Sequence, residues 1–128
     1  MSYYFSKVVD VPFDTAIERV TGALKAEGFG ILTQIDVQKT MKEKLNVDFR
    51  RYRILGACNP PFAWKALQAE ERIGTMLPCN VIVQETPRGE IEVSVVDPVS
   101  SMQAIDNAQL RPIAQTVQEK LRRVVESL

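Results

Sequence analysis

Residues Asn80 to Val96 read as two strands around one tight turn. Asn80–Glu85 and Glu90–Val96 flank Thr86-Pro87-Arg88-Gly89, where proline and glycine mark a hairpin loop. The second strand alternates cleanly, with Ile91, Val93 and Val95 on one side and Glu90, Glu92 and Ser94 on the other. Such a strand buries one face and leaves the other wet or paired with a partner. The pattern calls for an antiparallel pair of strands in a sheet with one open side.

The remaining elements follow from periodicity. Tyr3 to Val9 alternates as an edge or half-buried strand. Pro12 opens a helix in which Phe13, Ile17, Val20 and Leu24 recur at helical spacing with Ala16 and Ala23 beside them. Gly28 closes it as the residue that can turn left-handed. Ile31–Ile35 is a second strand, and Asp36 is placed to cap a short helix reaching about Leu45. Arg50 to Cys58 is a third strand, with Tyr52, Ile54, Gly56 and Cys58 on one face and Arg51, Arg53, Leu55 and Ala57 on the other. Asn59-Pro60-Pro61 starts a helix to about Arg72, Asp97–Asp106 reads as a loop, and a last helix begins between Asn107 and Arg111. Its stripe is wide (Leu110, Ile113, Ala114, Val117, Leu121, Val124, Val125 and Leu128) and predicts full packing on the sheet.

Hairpin strands beside helical crossovers predict an α+β two-layer sandwich, a mainly antiparallel sheet of about five strands with helices on one face. The 128 residues form one expected domain, and they carry no repeat, low-complexity tract or linker.

Composition narrows function mostly by exclusion. Lysine plus arginine and aspartate plus glutamate number 16 each, so no global field draws the chain to nucleic acid or anionic lipid. No apolar run approaches the ~18 residues that span a bilayer, and Met1 to Lys7 lacks the pattern of a signal peptide. Two cysteines are too few for a disulfide framework, so the expected location is cytoplasmic. There is no histidine. A Ser-His-Asp triad, a Cys-His pair and any His-containing zinc site are therefore excluded.

Four segments resemble one family. They are Gly28-Phe29-Gly30-Ile31-Leu32-Thr33-Gln34-Ile35-Asp36-Val37; Tyr52-Arg53-Ile54-Leu55-Gly56-Ala57-Cys58-Asn59-Pro60 with Ala63, Ala66 and Leu67; Gly74 with Leu77-Pro78-Cys79-Asn80-Val81-Ile82-Val83; and Asp97-Pro98 with Met102. Together they are similar to the family catalogued as domain of unknown function 302. The resemblance implies a compact, dimeric α+β domain of bacteria and archaea, and implies no activity.

The residues able to carry chemistry are few. Cys58 ends a strand just before a helix start, where the positive end of the helix dipole favours thiolate. Cys79 opens the next strand. Antiparallel strands would bring the two thiols close; parallel strands would hold them ~17–20 Å apart, and the sequence leaves both open. The pair reads either as a redox dithiol or soft-metal site completed by a second subunit, or as two small core residues. Asn59 is placed as an N-cap, whereas Asn80 either binds a ligand or serves a neighbouring loop. Lys39, Lys42, Lys44, Arg50, Arg51 and Arg53 either attract an oxyanion or form a solvated face. Trp64 lies off the small-residue face of its helix, as an interface anchor or a core residue. The acidic residues form no catalytic pair by spacing, and no phosphate loop or cofactor fingerprint is present.

The expectation is a non-catalytic homodimeric binding module for a small ligand or a partner protein. Its site is drawn around Cys58, Asn59, Cys79 and Asn80, with Arg53 as a charge partner; no cofactor is specified. The rival is a thiol-dependent redox or soft-metal protein using Cys58 and Cys79.

Overall fold

The computed structural model describes residues 2–128. The chain runs β1 (Tyr4–Val9), α1 (Phe13–Ala26), β2 (Gly30–Asp36), α2 (Val37–Leu45), β3 (Tyr52–Cys58), α3 (Pro60–Ala69), a 3₁₀ turn (Ile73–Met76), β4 (Cys79–Glu85), β5 (Ile91–Val96), α4 (Pro98–Ser101) and α5 (Leu110–Glu126). The five strands form one sheet in the order β1-β5-β4-β3-β2. Every neighbouring pair is antiparallel. This is the expected α+β two-layer sandwich.

Alternation decides the two faces of the sheet. Val81, Val83, Val93, Val95, Leu55 and Ala57 point into one core and are almost fully buried. The apolar stripe of α1 (Phe13, Ala16, Val20 and Leu24) and that of α5 (Val117, Leu121, Val124 and Val125) cover them. On the opposite face Tyr4, Val8 and Ile35 stay exposed. One chain therefore leaves part of the second face of the sheet uncovered, as the alternation of β5 predicts.

Local signals explain the joints. Gly28, at φ +89°, turns the chain out of α1, and the Phe29 N–H closes the turn on Leu24 O at 2.9 Å. The Asp36 carboxylate accepts from Lys39 N at 2.9 Å and caps α2. In the hairpin loop the buried Thr86 hydroxyl accepts from Arg88 N and Glu90 N, and Gly89 sits at φ +83°. Gly56 has a steric reason: a Cβ there would meet Thr33 Oγ1 at 2.2 Å and Pro78 Cγ at 2.8 Å.

Three boundaries differ from expectation. Helix α3 stops at Ala69 because Glu70 is extended (φ −142°), and the separate 3₁₀ turn follows and buries Ile73. The segment read as a loop after β5 holds the short helix α4, capped by Asp97 through Val99 N at 3.0 Å. Buried Asp97 also accepts from Gln118 of α5 at 3.0 Å, so it ties the end of the sheet to that helix. Finally, β2 carries a bulge between Ile31 and Thr33 that leaves Leu32 unpaired and exposed. Among the described residues no helix is long and apolar enough to cross a membrane.

Candidate functional site

The antiparallel pairing of β3 and β4 settles where the cysteines go. Ala57 pairs with Cys79, so Cys58 lies one step beyond that pair and the two thiols share one end of the sheet. Both are free. Cys79 is buried and Cys58 half-buried. Burial is the main cause that pushes the Cys79 thiol up to about 11, with a smaller push from the neighbouring Cys58. Cys79 is therefore a neutral thiol at physiological pH, a poor nucleophile by itself.

Beside these cysteines lies an apolar cavity of about 280 Å³. Its floor is Ala57, Cys58 and Cys79 at the sheet end. One wall comes from α3, through Phe62, Ala63 and Ala66, and the opposite wall from α5, through Ile113, Ala114 and Val117. Small side chains on both helices make the space, since an alanine fills so little of the gap between two elements. Leu32, Leu67 and Pro78 also line it, and the first two are exposed at 66% and 44%, so the mouth is apolar as well.

Asn59 occupies the N-cap position of α3, as expected, yet its side chain makes no capping bond. It is buried, and its amide donates to Glu27 O at 3.1 Å. The bond ties the start of α3 to the end of α1, directly under Gly28. Asn59 thus holds the cavity wall in place and lines the cavity without offering it a free donor from that bond.

The structure does not bring the other two candidates to this cavity. Asn80 follows Cys79 in the same strand and so points to the opposite, open face, where it is exposed beside Ile82 and Ser94. Arg53 lies five residues up β3 from Cys58, a separation of ~17 Å at the usual rise. Its guanidinium pairs with Asp36 at 3.7 Å instead. Trp64 is 65% exposed on the outer side of α3. Among the described residues no three histidine, cysteine, aspartate or glutamate side chains cluster to hold a metal ion. The residues missed in the sequence are the α5 wall and Met102, which also lines the cavity. The signal for the wall was the breadth of the α5 stripe, and Met102 stood in the Asp97-Pro98 segment that carries the family resemblance.

A family model described as "Domain of unknown function DUF302" matches residues 5–128. The chain belongs to the DUF302 family. A crystal structure of an uncharacterized conserved DUF302 protein from Bacillus stearothermophilus is similar over 98% of each chain, at 28% identity and a TM-score of 0.91. Comparison with curated proteins gives no match. The likeness reaches the whole chain, so the frame around the cavity is shared with that DUF302 protein.

Proposed function

We propose that this DUF302 protein is a non-catalytic binding module whose ligand is a small, mainly apolar molecule held at the Cys58–Cys79 end of the sheet. The observation that carries the reading is the cavity itself, about 280 Å³ and walled almost wholly by carbon. A dry cavity of ~150 Å³ suffices for benzene, so this one takes a ligand up to about twice that size. Among the described residues Cys58, Asn59 and Cys79 are the cavity's only polar or thiol-bearing lining residues and none is charged, which suits a weakly polar ligand better than a charged one. Two unbridged cysteines suit a cytoplasmic setting.

The same reading places two copies face to face through the open side of the sheet. Five strands at ~4.8 Å and a length of ~20 Å give about 480 Å² in plan, and side-chain relief brings that towards the ~800 Å² per partner of an ordinary stable interface. The polar groups on this face already satisfy one another. Arg50 Nε donates to Gln84 Oε1 at 3.1 Å, Gln84 Nε2 donates to Glu92 Oε1 at 3.1 Å, and the Ser94 hydroxyl donates to Glu92 Oε1 at 3.3 Å. Arg50 and Glu92 lie at either end of this chain of bonds, so a second copy that covers them must also set their opposite charges against one another or against its own.

One specific observation favours the rival thiol reading, namely that Cys58 and Cys79 line the same cavity from adjacent strands. Thermal unfolding with toluene, and separately with Cu(I), divides the two. The binding reading expects toluene to raise Tm in the native protein and still to raise it, by less, in a Cys58→Ser/Cys79→Ser double variant. A Tm that only Cu(I) raises, and only when both thiols are present, would replace it with the soft-metal reading. Sedimentation at micromolar concentration tests the dimer: a monomer there removes that part of the proposal.

A further inference from the structure

A second recess, of about 220 Å³, lies at the opposite end of β3 from the cysteines, and its lining is mainly polar. Two arginines dominate it. Arg51 and Arg53 are two apart in an extended segment and therefore project to the same side. Their guanidinium carbons sit 5.7 and 5.8 Å from the centroid of one ring, that of buried Phe13. The shared ring holds both forks in place, which lowers the ordering cost of any ligand that bridges them.

Of the rest of the basic segment, all but Lys44 have partners among the described residues. Lys39 pairs with Glu43 at 3.9 Å and Lys42 with Asp48 at 3.1 Å, both on α2 or just past its end. Arg50 turns to the open face and donates to Gln84. Arg51, by contrast, has no carboxylate within ion-pair distance among the described residues. Arg53 approaches Asp36 only to 3.7 Å, longer than a hydrogen bond. One oxygen of Asp36 is occupied by Lys39 N. Arg53 Nε is enclosed by protein without a hydrogen-bond partner among the described residues, whereas the side chain as a whole is 27% exposed, so the guanidinium meets the recess through its outer N–H groups.

We propose that this recess binds an oxyanion, a carboxylate or phosphoryl group, bridging Arg51 and Arg53 through their outer guanidinium N–H groups. The planar forks match such a group bidentately, as a lysine would not. Asp14 and Asp36 also line the recess, and Asp36, 3.7 Å from the Arg53 guanidinium, offsets part of the positive charge. The site therefore selects by contact geometry more than by field, and its expected affinity for a bare anion is about millimolar. The inference is independent of the apolar cavity and stands or falls without it.

The test is ¹⁵N NMR of the arginine Nε–H signals, titrating acetate and, in a separate arm, inorganic phosphate at constant ionic strength. The expected result is a saturable shift of the Arg53 Nε–H signal with at least one of the two probes. Acetate alone would identify the group as a carboxylate, phosphate alone as a phosphoryl group, and both as the shared chemistry. Arg51→Gln, at an exposed position, should weaken binding by about tenfold, while Lys44→Gln, the same loss of charge out on α2, should leave it unchanged. A shift that fails to saturate with either probe, or equal weakening by the two variants, overturns the proposal.

Discussion

Cys79 gives a stability effect whose size follows from its burial. Its thiol is raised from an ordinary 9.0 to about 11. Below pH 9 the folded and unfolded chains both hold the proton, so nothing depends on pH. Between the two values the unfolded chain releases it while the folded chain keeps it, and stability falls as pH rises. The loss amounts to roughly 1 kcal/mol near pH 10 and roughly 2 kcal/mol near pH 11, tending to about 3 kcal/mol. Replacing the residue by alanine (Cys79→Ala) removes this dependence and costs about 1 kcal/mol of burial at all pH values. Urea unfolding of both proteins from pH 8 to 11 measures the difference directly, because other titrating groups cancel between them. The native protein should start more stable and end less stable than the variant. A constant gap across that range would refute the reasoning, and would mean that Cys79 meets water in the folded state.

Further outcomes follow from particular contacts. Asn59→Ala should cost about 1–3 kcal/mol in urea unfolding, because Glu27 O loses its donor from the buried Asn59 amide; a change inside error would show that the bond is dispensable. Gly28→Ala should cost about 1–3 kcal/mol, since φ is +89° and the new Cβ lies 3.1 Å from Asn59 Nδ2; an unchanged unfolding midpoint would count against that geometry. Hydrogen bonds from Arg123 at 3.0 and 3.2 Å hold the Glu27 carboxyl below its ordinary 4.5, against a weaker opposing push from desolvation. The pair's stability is present above 4.5 and lost as pH falls through the lowered folded value. In Arg123→Gln the NMR titration midpoint of Glu27 should rise, and an unmoved midpoint would rule out Arg123 as the cause.

The fold was legible because its signals are local. Phe13, Ala16, Val20 and Leu24 recur at helical spacing and all four are buried on α1. The alternation of β5 named its buried face correctly, as Val93 and Val95 are inaccessible. Helix α4 was missed although Asp97-Pro98 repeats the polar-residue-then-proline start of Asn59-Pro60, because a helix of four residues has no periodicity to display. The site was legible only in part. Strand alternation alone separates Cys79 from Asn80, and strand length alone separates Arg53 from Cys58. What the sequence withheld was the direction of β3 against β4, and with it the meeting of the cysteines. The α5 wall of the cavity lies some fifty residues from Cys58 in the chain and reaches it only through tertiary packing.

The most direct test of the central claim is an NMR titration of the native protein with toluene, followed at the backbone amides and repeated on Ala114→Leu. Leucine at that position adds three carbons to the cavity wall. The account predicts saturable shifts centred on Cys58, Ala63 and Ala114 in the native protein, and their loss in a variant that folds normally and unfolds no earlier. Shifts that are absent, scattered over the open sheet face, or unaltered by the leucine would contradict it.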